Sequence, residues 1–217
     1  MAADAGVPPS AAIRDLFGDI DIYLFDQLAR GRFDHRRRVL DAGCGAGRNL
    51  RYFLAHDYDC HGIDRDSSAI AQLRREAEAL GWGDADLRFI VGGVESLPWS
   101  DHAFDAVISS AVLHFADSRR HFELMVAEMW RVLAPGGLLF ARLASTIGLD
   151  GFGALAGQRV RLPDGSDRFV VDEAMLLELT AKLGGHLADP LKTTNVQNQR
   201  AMTTWCVLKG DEIRTGS

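Results

Sequence analysis

The chain is poor in cysteine, has no long apolar run and shows no excess of basic residues. No apolar stretch approaches the roughly 18–20 residues that a membrane helix requires, so no span and no membrane partner are expected. The three cysteines, Cys44, Cys60 and Cys206, lie far apart. An odd, sparse set fits reduced thiols in the cytoplasm, and it excludes a disulfide framework or a zinc knuckle. Lys and Arg number 24 against 30 Asp and Glu, a net charge of −6 with His neutral. That balance argues against nucleic acid as a partner. Residues 1–10 carry no basic segment followed by an apolar one, so no secretory signal is expected. Internal repeats, low-complexity tracts and linkers are absent. So are a Ser-His-Asp order, paired zinc ligands and a Gly-Lys-Ser phosphate loop, which leaves hydrolase and triphosphatase readings without support.

What is there is an ordinary globular composition, 47% hydrophobic and 25% charged over 217 residues. It predicts one domain over residues 1–217, large enough to bury roughly 70% of its unfolded surface. Ile13, Leu16, Phe17, Ile20, Leu24 and Leu28 recur at helical spacing, giving one or two helices across residues 10–31 within an N-terminal helical cap over 1–35. Strands and helices then alternate. Val39 to Ala42 reads as a buried strand, Cys60 to Ile63 as a second, Leu87 to Val91 as a third, Ala106 to Ser110 as a fourth and Leu138 to Leu143 as a fifth. Ser67 and Ser68 offer a helix cap between the second and third, and His121 to Leu133 is an amphipathic helix between the fourth and fifth. Such alternation predicts an α/β, doubly wound, mostly parallel sheet. Residues 148–171, rich in Gly and polar groups, read as a long loop over the site. After a helix over Asp172 to Leu183, two strand-like runs, Ala188 to Val196 and Met202 to Leu208, predict a C-terminal antiparallel hairpin and seven strands in all.

The chemistry gathers at Asp41-Ala-Gly-Cys-Gly-Ala-Gly47, where the first strand meets a helix. Glycines there allow a tight turn and close backbone approach to a ligand, and helix-terminal amides face its polar groups. Asp64 ends the second strand about twenty residues on, where a carboxylate accepts ribose hydroxyls. Loop and acid together are a nucleoside-binding pair at the carboxyl ends of the strands.

The run Val39-Leu-Asp-Ala-Gly-Cys-Gly-Ala-Gly47 resembles the first motif of class I S-adenosylmethionine-dependent methyltransferases, of the small single-domain, type 11-like kind. His61-Gly-Ile-Asp64 resembles their second motif. Gly92 to Trp99 with Phe104 to Ser110 resembles their adenine loop and fourth strand, and Leu133 to Leu138 the turn into their fifth. The resemblance covers residues 39–145 in motifs and implies a Rossmann-like fold and S-adenosylmethionine as cofactor. It implies that Asp41 orients the methionine amino group, that Gly43, Gly45 and Gly47 shape the turn around the methionine moiety and that Asp64 holds the ribose. Arg65, Val94 and Glu95 would border the adenine, and Ser110 and Ala111 the sulfonium end. Many relatives carry an Asp where this chain has Gly93. That Asp accepts from the adenine amino group, a role that would pass here to Glu95 or to a backbone carbonyl, or leave adenine recognition weaker.

A dinucleotide-dependent oxidoreductase is the rival reading, and a non-catalytic nucleoside-binding module of the same fold is the third. The glycine spacing is Gly-x-Gly-x-Gly, and Arg48 stands where a third dinucleotide glycine belongs. Asp41 would repel a pyrophosphate but attract an ammonium. The expected reaction is in-line displacement at a sulfonium methyl toward a small-molecule acceptor, with no metal. His114, after the fourth strand, is the candidate general base, against packing on Phe115. Arg142, in the fifth strand, either binds a substrate anion or pairs with a neighbouring acid. Tyr23 either contacts the ligand from the N-terminal helices or packs. Thr193, Thr194, Asn195 and Asn198 read as exposed hairpin polarity, Trp99, Trp130 and Trp205 as core, and Cys44 as a small apolar filler.

Overall fold

The computed structural model describes residues 9–210. Helices α1 (Pro9–Phe17) and α2 (Ile22–Ala29) lead into β1 (Arg38–Ala42), followed by α3 (Arg51–Ala55), β2 (Asp59–Asp64), α4 (Ser67–Ala79), α5 (Ala85–Arg88) and β3 (Phe89–Val91). Next come β4 (Phe104–Ser110), a 3-10 turn at Leu113–Phe115, α6 (Arg119–Val132) and β5 (Leu133–Ser145). The chain ends with the hairpin β6 (Gln158–Arg161) and β7 (Asp167–Val170), then α7 (Glu173–Lys182), β8 (Gly185–Leu187), β9 (Lys192–Val196) and β10 (Arg200–Lys209). No described helix is long and apolar enough to cross a membrane.

The main sheet runs β3-β2-β1-β4-β5-β10-β8, with β9 also on β10. Strands β1 to β5 are parallel, and β10 is antiparallel to β5, β8 and β9. Successive residues of each strand feed opposite faces, as the two-residue strand period requires. Val39, Ile108, Phe140 and Cys206 pack on one side with Leu50, Phe53, Ile70 and Leu73. Leu40, Val107, Leu139 and Trp205 pack on the other with Phe122, Met125, Met129 and Leu176. Helices thus cover both faces, and the sheet is the doubly wound one that the pattern predicts. β1 lies between β2 and β4, so chain order reverses there and opens a crevice at its carboxyl end.

Several local expectations differ. Asp66, not a serine, caps α4, its carboxylate accepting from the amides of Ser68 and Ala69 at 2.8 and 3.2 Å. An ionised carboxylate is the stronger partner for a helix N-terminus. Leu87 and Arg88, expected in the third strand, instead end the short helix α5, and the strand begins at Phe89. The stretch expected as one strand over 188–196 is interrupted: Pro190 has no amide to give, and Asp189 is held by Gln27 and Arg32. β8 and β9 therefore share the seventh strand position along β10.

Residues 148–171 are an ordered excursion rather than an open loop. Their β6–β7 hairpin is anchored by Phe169, which is buried and stacks on Phe122 with ring centroids 5.0 Å apart. Val171 bridges back to Ser145. Only a few apolar residues mark so short a hairpin, which is why periodicity did not reveal it. Among residues 1–35, residues 1–8 lie outside the described part; from residue 9 the cap is α1 and α2.

Candidate functional site

At the carboxyl ends of β1, β2 and β4 lies a cavity of about 720 Å³. Its floor is the glycine loop. The amides of Gly43 and Cys44 donate to the Ile63 carbonyl at 2.8 and 3.1 Å, tying the loop to β2. Gly43 has φ +89, and a Cβ there would strike Val112, 2.8 Å from Cγ1. Gly45 differs: a Cβ would meet nothing within 4 Å, so its bare face opens onto the cavity. The Gly45 amide donates to Asp64 Oδ2 at 2.8 Å, and the Asp66 amide donates to Oδ1 at 2.9 Å. Two amides thus fix the orientation of the strand-two carboxylate at the cavity wall.

Asp41 sits beneath the loop, fully buried, and among the described residues neither carboxylate oxygen has a hydrogen-bond partner. Burial drives its pKa up from 3.8 to about 7, with Asp64 adding to the rise and Arg48 opposing it. A buried acid with no partner is costly, so this one is poised for a cation or a donor brought by a ligand. Opposite, Ala111 adopts φ +64, an unusual backbone for a residue with a Cβ. Its amide donates to the Arg142 carbonyl at 2.8 Å, and the bend turns Ser110, Ala111 and Val112 toward the cavity.

Beyond Ser110 lies a charged cluster. Ser110 Oγ donates to Asp21 Oδ2 at 2.7 Å, and Arg142 Nη1 reaches the same oxygen at 3.3 Å. Arg48 Nη2 donates to Ser110 Oγ at 3.2 Å and Nη1 to the Asp19 carbonyl at 3.3 Å. The Asp21 amide donates to Asn49 Oδ1 at 3.0 Å. Asp21 also caps α2, its side chain accepting from the Tyr23 amide. One buried carboxylate therefore fastens the N-terminal helices to the ends of β4 and β5.

Of the residues expected at the site, Gly43, Gly45, Gly47, Asp64, Arg65, Val94, Glu95, Ser110 and Ala111 line the cavity together. Asp41 lies directly behind it. Besides Asp41, three candidates do not line it. Tyr23 stacks under the Arg142 guanidinium, 5.0 Å from centroid to carbon, and its hydroxyl bonds Thr194. Arg142 takes the ion-pairing alternative, to Asp21. His114 is buried against Phe115, and burial, with Arg168 and Arg142 nearby, lowers its pKa to about 3. A histidine so placed is neutral and a weak base. No residue of 148–171 lines the cavity.

The cavity also takes in residues that the sequence reading passed over. Asp19, Arg48 and Arg51 form its mouth on the side of the helical cap, and Val112 and Phe115 face them from beyond β4. His121 and Met125, one turn apart on α6, wall the far end. Their i, i+4 spacing was the available signal, but it merges with the core stripe of the same helix.

Residues 40–141 match the family model described as "Methyltransferase domain". The chain is 30% identical over 175 residues to a malonyl-[acyl-carrier protein] O-methyltransferase of Enterobacter lignolyticus, covering 80% of this chain and 63% of that one. The chain spans between 45% and 63% of the length of this and two further curated relatives that it matches. Among solved structures, the Burkholderia thailandensis 1,6-didemethyltoxoflavin-N1-methyltransferase, holding its substrate and S-adenosylhomocysteine, superposes with a TM-score of 0.66 at 20% identity, over 93% of this chain and 84% of that one. The [4+2]-cyclase SpnF superposes equally well, with a TM-score of 0.66 at 19% identity over 88% and 81%. At such identities the likeness is one of fold, here the Rossmann-like methyltransferase fold, and the chemistry has to be argued from the site.

Proposed function

We propose that this chain, whose residues 40–141 match the methyltransferase-domain model, transfers a methyl group from S-adenosylmethionine to a small-molecule acceptor. The observation that carries this reading is the unpartnered, buried Asp41 carboxylate under an open glycine loop. Next to the pyrophosphate of a dinucleotide that charge is unfavourable; next to an ammonium it is favourable. The residues fit the cofactor. Asp64, oriented by two amides, takes the ribose hydroxyls, Asp41 attracts the methionine ammonium through the loop, and Gly45 leaves room for close approach. The recess walled by Arg65, Val94, Glu95, His121 and Met125 takes the base.

When bound, the cofactor supplies an electrophilic methyl group on a sulfonium. The protein's share is alignment, because displacement needs nucleophile, methyl and sulfur in line. Ser110, Ala111 and Val112 set that line at the cavity wall beyond β4, held by the Asp21–Ser110–Arg142 cluster. The acceptor enters at the mouth formed by Asp19, Arg48 and Phe115. With His114 buried and only weakly basic, an acceptor that arrives ionised or carries a free lone pair suits the site better than one that must be deprotonated. A malonyl thioester carboxylate, as the relative's name implies for that protein, is one such acceptor.

The test is calorimetric titration with S-adenosylhomocysteine, with NADH as control, for the wild type and Asp64→Ala. Saturable binding of the first ligand alone, lost in the variant, supports the reading and justifies an acceptor screen. Binding of NADH alone overturns it.

A further inference from the structure

The excursion over residues 148–171 contributes nothing to the cavity wall, yet one of its side chains reaches the edge of the mouth. Arg168, on β7, lays its guanidinium over the ring of Phe115, with the central carbon 4.9 Å from the ring centroid. Phe115 is 51% exposed and lines the mouth. The hairpin fixes both partners. Phe169, next to Arg168, is buried against Phe122 and holds β7 in place. From β6, Arg159 Nη1 donates to the carbonyls of Phe115 and Ala116 at 3.3 and 3.4 Å, tying down the turn that carries the ring.

Arg168 is half-buried and short of partners. A guanidinium has five N–H donors. Among the described residues the side chain makes one hydrogen bond, from Nη1 to the Asp167 carbonyl at 2.9 Å. Its neighbours are neutralised: Arg142 pairs with Asp21, Arg159 with Asp117 and Arg161 with Asp167. Arg168 has no such carboxylate among the described residues. In the proposed cofactor pose nothing of the cofactor reaches it either. The amino-acid end lies over the glycine loop, where Arg48 is the adjacent cation, and the ribose and base lie at Asp64 and beyond. In a chain of net charge −6, a free anion is attracted only where the local field is reversed, and Arg168 reverses it at the mouth.

We propose that Arg168 and the ring of Phe115 form a recognition subsite for the acceptor, and that the acceptor is an amphiphilic carboxylate. Its carboxylate forks onto the Arg168 guanidinium, and its apolar body lies along Phe115 and Val112. Stacking on the ring fixes the plane of the guanidinium and leaves its N–H edge open. Two parallel N–H···O bonds suit a carboxylate; an alcohol accepts one of them and an ammonium neither. The inference rests on the methyl-transfer reading and adds to it the chemical class of the acceptor and the residue that selects it.

The experiment titrates octanoate by calorimetry into the full chain saturated with S-adenosylhomocysteine, with octylammonium and 1-octanol as probes of the same length. Octanoate is expected to bind about tenfold or more tightly than either. Arg168→Gln is expected to remove that preference while affinity for S-adenosylhomocysteine is unchanged, because Arg168 lies outside the cavity wall. Arg168→Lys keeps the charge without the fork and should fall between wild type and Arg168→Gln. Phe115→Ala is expected to weaken octanoate and octanol together, which separates the apolar contact from the charge. Thermal unfolding checks that each variant folds. Equal wild-type affinity for octanoate and octylammonium overturns the inference, as does a preference for octanoate that survives both changes at Arg168. S-adenosylhomocysteine that fails to bind overturns the cofactor reading and this inference with it; S-adenosylhomocysteine that binds without an octanoate preference overturns this inference alone.

Discussion

Changing Asp41 to Asn should separate a group kept for binding from a group kept for folding. Asp41 is fully buried, its oxygens unpartnered, and its pKa is about 7 against the ordinary 3.8. A rise of that size corresponds to on the order of 4 kcal/mol of unfavourable free energy once the group is ionised in the fold. The sign follows from proton counting. Between pH 3.8 and about 7 the native state keeps a proton that the unfolded chain has lost. Stability therefore falls as pH rises through that window and levels off above it. Asn cannot ionise, but its amide brings unpartnered donors worth about 1–3 kcal/mol. Asp41→Asn is thus expected to be more stable than wild type by about 1–3 kcal/mol at pH 8 and to lose that advantage near pH 5, where the two differ by no more than about 1 kcal/mol, as read from urea unfolding. Binding should move the opposite way. If only the ionised carboxylate receives the cationic ligand, wild-type affinity for S-adenosylmethionine falls about tenfold between pH 8 and pH 6, with proton release measurable by calorimetry in buffers of different ionisation enthalpy. The variant should bind weakly and without that dependence, which separates Asp41 from other titrating groups in the cavity. Wild-type affinity that stays flat from pH 8 to pH 6 would refute the argument, as would a stability difference that does not change with pH.

The remaining expectations concern the frame of the site. Gly43→Ala places a methyl against Val112 at φ +89 and should cost about 2–4 kcal/mol together with cofactor binding; Val112→Ala in the same chain should recover stability, and full stability in the single variant would contradict the packing. Asp21→Ala leaves Arg142 and Ser110 without their shared acceptor and α2 without its cap; a loss of about 3 kcal/mol is expected by urea unfolding, less in Asp21→Asn. For His114 the folded pKa is about 3 against 6.5, so the unfolded chain binds the extra proton between those values and stability is lost as pH falls through them. Wild type should lose about 3 kcal/mol more than His114→Gln between pH 7.5 and pH 4.5, and parallel acid profiles would sink the assignment of a neutral buried imidazole.

Much of the site was legible because its chemistry is local. The glycine loop, Asp64 and the ends of β4 are each written within a few residues, and a parallel sheet brings the carboxyl ends of its strands to one edge whatever the loops do. What was not legible depended on partners distant in the chain. Arg142 could have bound a substrate anion or an acid, and Asp21, 121 residues away, decided it. The split of the last outer strand turned on Asp189 meeting Gln27 and Arg32 across more than 150 residues. The β6–β7 hairpin was hidden because one aromatic anchor, Phe169 on Phe122, stabilises four-residue strands that propensity alone does not mark.

Periodicity and turn chemistry act over short spans, and they suffice for the alternation of strands and helices, the glycine loop after β1 and the acid at the end of β2. Tertiary structure alone decided which charges are paired and which are stranded. Asp41 and the free oxygen of Glu95 are ordinary carboxylates in the sequence. Only the packing of β1 between β2 and β4, and the folding of Glu95 into the space left by Gly93, remove water from them while supplying no donor. Desolvation is a property of the assembled fold, and no local sequence pattern records it.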